Sequence, residues 1–201
     1  MERTIYSLGY LGEGDYSPRK DGVKTIQYNY WYDMLRRCYN KKALEKRPTY
    51  EDKYVCEEWL NFQNFAKWFD ENYYKIGNRD KMCLDKDILN KGNKIYNADN
   101  CIFVPERINT LFLKSNAKRG KYPIGVSYHK RDNKFYSQCK TLIDGVQKNN
   151  FLGYYNTPEK AFEVYKKFKE NYIKEVADEY KNVIPVELYK AMYGYVVEIN
   201  D

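Results

Sequence analysis

The chain has a single histidine, no closely spaced cysteine pair and no long apolar run. Because His129 is the only imidazole, no other segment can supply a histidine base or ligand. Cys38, Cys56, Cys83, Cys101 and Cys139 are odd in number and widely separated, and no C-x-x-C occurs. Structural zinc sites usually draw on close pairs, and disulfide frameworks on even sets. Reduced core thiols are therefore expected, with zinc at Cys38, Cys56, Cys83 and Cys101 as the alternative. No stretch approaches the ~20 apolar residues that span a bilayer. The opening MERTIYSLGYLGEGDYSPRK lacks an apolar secretory core. These absences predict a soluble cytoplasmic protein with no membrane partner. There is no internal repeat and no low-complexity tract.

What is present is a basic segment and much aromatic surface. Residues 114–156 contain nine Lys/Arg and two Asp, a surplus of +7 that equals the net charge of all 201 residues. Such a surplus on residues that read as strands is expected of a face that binds a polyanion. A solubilising surface is the plainer alternative. The composition, 43% hydrophobic and 17% aromatic with 23 Tyr, is that of a chain able to bury a core. Tyr packs its ring while its hydroxyl stays wet, which suits thin domains and interfaces.

Residues 1–24 carry four Gly and one Pro, show no period, and read as an irregular arm with at most one short strand. From Thr25 the pattern is helical, with Trp31, Met34, Leu35 and Cys38 on one face, until Pro48 interrupts it. A second helix is expected over about 57–73, with a stripe of Phe62, Phe65, Ala66, Phe69 and Tyr73. Residues 83–109 then read as a β-hairpin followed by a short helix. The polar, basic run 114–121 is the expected linker between a module over 25–113 and a second domain over 122–201.

Three strands follow, at about 124–130, 134–142 and 147–154, with turns at Asp132-Asn133 and Asp144-Gly145. Thr157 then caps a helix that has Pro158 at its first position and runs to about 181. Its charges balance, so it does not read as a groove-entering helix. Beyond Pro185 a short helix and a strand at Tyr195–Ile199 are expected. The fold class is α+β.

Side chains alternate across a sheet. One face, with Val126, Tyr128, Phe135, Ser137, Cys139, Asn150 and Leu152, is mostly apolar and suits packing on the helix. The other carries Ser127, His129, Arg131, Lys134, Tyr136, Gln138, Lys140, Asn149 and Phe151, and no acid. Gln can bond adenine, Lys can bond guanine or phosphate, and Phe can touch a thymine methyl.

I-G-V at 124–126, K-F-Y at 134–136, L-G-Y-Y-N-T at 152–157, and Glu159, Ala161 and Tyr165 in E-x-A-x-x-x-Y resemble an AP2 (ERF-type) DNA-binding domain over about 122–181. The resemblance implies three antiparallel strands packed on a long helix, the sheet entering the major groove of duplex DNA. By motif position its contacts fall on Ser127, His129, Lys134, Gln138, Lys140, Asn149 and Phe151. Arg131 and the linker cations Lys118, Arg119 and Lys121 join the expected DNA-binding set. Plant members use Arg at several of these places, where this chain has Ser, Lys and Asn.

The first module resembles a phage-type HNH endonuclease module over about 28–110. W-x-x-M-L-x-R-C-Y (31–39), Y-V-C-x-E-W-L (54–60), L-D-K-D (84–87) and Y-N-A-D-N-C (96–101) carry the likeness. AP2 and HNH modules are joined in many phage and mobile-element endonucleases. An active HNH site needs a histidine base at the end of the first hairpin strand and a divalent ion beside it. Lys86 stands at the histidine position, so no catalytic residue is assigned. An ordinary lysine is protonated at neutral pH and cannot accept that proton. Asp85, Asp87 and Asn100 could still contact a divalent ion, and their plainer role is turn chemistry. Lys86 could instead contact phosphate.

The expected function is therefore duplex DNA binding by a phage or mobile-element protein whose nuclease module is inactive and needs no cofactor. One alternative is an active, Mg²⁺-dependent HNH-type endonuclease. Another is an anti-CRISPR-like inhibitor that binds a host defence nuclease or its guide RNA. The expected setting is the cytoplasm of a bacterial or phage-infected cell.

Overall fold

The computed structural model describes residues 4–77, 81–113, 120–143 and 145–201. It is a mixed α+β chain that divides into two compact units, 1–106 and 107–201. The division falls between Glu106 and Arg107. Most of the basic run expected to be the linker, residues 114–119, lies outside the described residues.

The first unit is built on α1 (Ile26–Tyr39), which buries Trp31, Met34, Leu35 and Cys38, the four residues that the helical period puts on one face. A short α2 (Lys41–Lys46) follows, preceded by Asn40, whose side chain caps it through Ala43 N. The helix expected over 57–73 is two helices, α3 (Glu57–Leu60) and α4 (Phe62–Asn72). Asn61 separates them: its extended backbone breaks the helix, and its side chain accepts a hydrogen bond from Gln63 N at 2.9 Å. Phe62, Phe65, Ala66 and Phe69 of α4 pack into an aromatic core with Trp31, Trp59 and Phe103. The Trp31 indole donates to Trp59 O at 2.7 Å, so its one polar atom is satisfied.

The residues read as an irregular arm are part of this unit. They include a two-residue hairpin, β1 (Arg19–Lys20) with β2 (Val23–Lys24). One side chain, Gln63, ties the arm to α4. It donates to Leu11 O and Tyr16 O, each at 3.0 Å, and accepts from Tyr16 N at 2.9 Å. β3 (Tyr54–Val55) pairs in parallel with β5 (Ile95–Tyr96). β4 (Met82–Asp85) pairs antiparallel with β6 (Ile102–Pro105), and α5 (Glu106–Leu111) follows, crossing into the second unit. The expected hairpin is β4 with β6, but β5 between them pairs with β3; the expected short helix then follows.

The second unit is a three-stranded antiparallel sheet, β7 (Val126–His129), β8 (Lys134–Ile143) and β9 (Val146–Tyr155), in that spatial order. It packs on α6 (Pro158–Tyr180), capped by Thr157 as expected. Val126 and Cys139 meet Ala161, Phe162 and Tyr165 in the core between sheet and helix. The Tyr172 hydroxyl accepts from Leu142 N at 2.8 Å and donates to Leu142 O at 3.1 Å, pinning β8 to the helix. A short α7 (Val186–Tyr193) follows Pro185.

Two details differ from expectation. Arg131 is in the β7–β8 turn rather than on the strand, because pairing stops at His129–Lys134. The tail 195–199 is not a strand. Its Val197 backbone is held by side chains of α6 instead, Lys166 Nζ donating to its carbonyl at 2.6 Å and Glu170 Oε1 accepting from its N–H at 2.9 Å.

Candidate nucleic-acid interface

Register decides which side chains share the outer face of β7–β9. Ser127 lies opposite Tyr136, which lies opposite Tyr154. His129 faces Lys134, Gln138 faces Phe151, and Lys140 faces Asn149. The expected strand contacts Ser127, His129, Lys134, Gln138, Lys140, Asn149 and Phe151 therefore do lie on one face. No Asp or Glu occurs within the three strands.

The pairing also reveals what strict alternation hides. Ser137 pairs with Gly153 but Gln138 pairs with Phe151, so Leu152 is an extra residue in β9, a β-bulge. The bulge shifts the phase by one. Alternation counted from Phe151 puts Tyr154 on the inner face; the bulge puts it on the outer face, opposite Tyr136. Phe151 is 58% exposed and Tyr154 46% exposed, with ring centroids 5.1 Å apart. Tyr136 and His129 complete the cluster, at 6.2 and 5.5 Å from Tyr154. Tyr154 is thus a candidate contact that periodicity misses. The signal for it is Gly153, a residue that often marks a bulge.

Among the described residues, one acid reaches the rim of this face. Asp132, in the β7–β8 turn, has Oδ2 3.1 Å from His129 Nδ1 and Oδ1 3.4 Å from Arg131 Nε. The positive charge of the face thus rests mainly on Lys134 and Lys140, both exposed. Lys121 is exposed ahead of β7, its ammonium 5.3 Å from the Tyr122 ring. Lys118 and Arg119 lie outside the described residues. Asn149 Nδ2 donates to Gln138 Oε1 at 3.0 Å, which orients both amides on the face.

The segment that follows β4 is arranged differently. Lys86 is turned inward, its side chain 7% exposed, donating to Asp87 Oδ2 at 3.0 Å and Asn93 O at 3.1 Å. It is therefore not aimed at a phosphate in solvent. Asp85 Oδ1 accepts from Asp87 N at 2.9 Å and Ile88 N at 2.7 Å, closing the turn after β4. Burial, with Asp87 second, raises the Asp85 pKa. Asn100 Oδ1 accepts from Asn90 Nδ2 at 2.6 Å. One oxygen of each of the three candidates is thus taken by a protein donor, and an ammonium sits beside Asp87.

The five cysteines are free; Cys38, Cys101 and Cys139 are buried, Cys56 and Cys83 half-buried. Burial pushes the thiols of Cys38 and Cys56 up to about 11 and raises Cys83, Cys101 and Cys139 as well. Among the described residues no cluster of three or more His, Cys, Asp or Glu is placed to hold a metal ion, and no helix is long and apolar enough to cross a membrane. No protein-family model, curated protein or solved structure matches the chain.

Proposed function

We propose that the protein binds duplex DNA through the outer face of β7–β9. The observation that carries this reading is the gathering of Lys134, Gln138, Lys140, Asn149 and Phe151 on one face, with no acid in the strands. Lys134 and Lys140 supply phosphate contacts and their counterion release. Gln138 and Asn149 supply donors and acceptors for base edges. A sheet face backed by a helix is also the reader that the AP2 resemblance implies, and strands do enter the major groove in known readers.

The first unit acts in this proposal as an accessory module. The inward bonding of Lys86 and the turn role of Asp85 support that assignment over catalysis.

The test is selection of bound sequences from a random duplex pool, followed by titration of the recovered site at several salt concentrations. Binding is expected to weaken steeply with salt, by about 0.9 in log K per unit log[salt] for each phosphate neutralised. An affinity indifferent to salt, or a pool that yields no bound duplex, would remove the proposal.

A further inference from the structure

We infer that Gln138 and Phe151, opposed across β8 and β9, form a reader of A·T base pairs in which the ring contacts the thymine C5 methyl. This rests on the duplex-DNA reading of the same face and adds the base that it selects. In the major groove adenine offers an N7 acceptor and an N6 donor, and its partner thymine offers O4 and a methyl. One polar amide beside one apolar ring matches that pattern. The two residues are direct register partners, and opposed Cβ atoms in such a pair lie about 4.5–5.5 Å apart.

The amide is already oriented. Asn149 Nδ2 donates to Gln138 Oε1 at 3.0 Å, and Gln138 Nε2 makes no hydrogen bond among the described residues. That leaves Nε2 to donate to adenine N7 and a second lone pair on Oε1 to accept from N6. Fixing the side chain beforehand reduces the entropy lost on binding.

The ring is exposed, with its centroid 5.1 Å from that of Tyr154 and 6.4 Å from that of Tyr136. Phe151 and Tyr154 present adjoining apolar surface to water. The thymine methyl is the apolar group that unmodified duplex DNA offers in the major groove. Stacking on unpaired bases would need flat, accessible ring faces in series. Here Tyr154 meets both neighbours edge to face, Phe151 at 63° and Tyr136 at 69°, while Tyr136 and Phe151 are tilted by 35°. That geometry suits a methyl nestled between rings.

The experiment uses the full chain and the duplex recovered from selection, prepared once with thymine and once with deoxyuridine, which lacks only the C5 methyl. The expected loss is about fourfold in Kd for each contacted methyl, the equivalent of ~0.8 kcal/mol per buried CH₂. Phe151→Ala should bind the thymine duplex as weakly as the parent binds the uracil duplex, and should lose nothing further on uracil. Gln138→Ala should lose the A·T preference on reselection. Circular dichroism of both variants checks that the sheet is intact. Equal parent affinity for the two duplexes would overturn the inference while leaving duplex binding in place. Tighter binding to single strands than to duplex would overturn it in favour of stacking. If no duplex is retained at all, both the inference and the reading beneath it fall.

Discussion

Gly125 lies against the ring of Tyr165: a Cβ on Gly125 would sit 2.0 Å from Tyr165 Cδ2. Its φ of +77° is also one that L side chains rarely adopt. The residue before β7 is thus glycine for two reasons, and both concern the docking of α6 on the sheet. Gly125→Ala combines left-handed strain of about 1–2 kcal/mol with overpacking of about 1–3 kcal/mol. A loss of roughly 2–5 kcal/mol in the stability of the second unit is expected from denaturant unfolding. Gly145→Ala is the control. Its φ is +76°, but nothing lies within 4 Å of the added Cβ, so about 1 kcal/mol of strain is expected alone. Equal losses in the two variants would show that the Tyr165 contact does not constrain Gly125.

The Lys86 ammonium joins the end of β4 to the loop at Asn93, and Asn93 Nδ2 returns the contact to Lys86 O at 2.7 Å. Lys86→Met should leave the Asn93 carbonyl without that donor and cost about 1–3 kcal/mol. Thermal melting would register this. DNA affinity measured below the melting temperature should stay the same, and a selective loss of affinity would mean that Lys86 reaches DNA.

Catalysis is tested separately. Bound supercoiled plasmid should remain intact for hours with Mg²⁺ or Mn²⁺, and Lys86→His alone should not restore cutting. General-base loss typically costs 10²–10⁴ in rate, and Asp85 and Asn100 are committed to the local turns. Nicking by the parent chain that Asp85→Ala abolishes would show an active nuclease.

Charge on the sheet face can be apportioned by salt slopes. Lys134→Ala and Lys140→Ala should each make the slope of log K against log[salt] shallower by about 0.9 if each neutralises one phosphate. Arg131→Ala should change it less, since Asp132 already lies 3.4 Å from Arg131 Nε. An effect of Arg131→Ala as large as that of Lys134→Ala would place the DNA over the β7–β8 turn instead of over the strands.

The thiols predict an alkaline limit. Burial pushes the pKa of Cys38 from 9.0 up to about 11. Between those values the unfolded chain ionises at this position while the folded chain keeps its proton. The folded state then binds more protons, so its stability falls as pH rises. The contribution is complete below pH 9 and is lost as pH passes 11. Cys38→Ala should be less stable throughout and should show a shallower decline over that window, measured as the urea midpoint against pH. Parallel curves for parent and variant would contradict a buried, protonated thiol.

Much of the secondary structure was legible because its causes are local. Trp31, Met34, Leu35 and Cys38 recur at the spacing of one helix face. Thr157-Pro158 announces the start of α6 by capping chemistry. Alternation and two turn signals located the three strands. The cations of the sheet and the absence of acids from its strands could be read directly, since they depend on composition alone.

What only the tertiary structure decided depends on contacts between distant residues. The Leu152 bulge is a mismatch between β9 and β8, so a two-residue period counted along one strand cannot detect it. Yet it alone turns Tyr154 outward beside Phe151. Residues 10–16 show no period because Gln63 and the backbone at Leu60 and Phe62 hold them. Val197 has a strand-like sequence, but its backbone groups bond to Lys166 and Glu170 and so form no ladder. Lys86 reads as a surface cation until the fold brings Asn93 within reach of its ammonium. Periodicity and capping are properties of neighbours in the chain; register, inward turning and docking are settled by which groups meet across it.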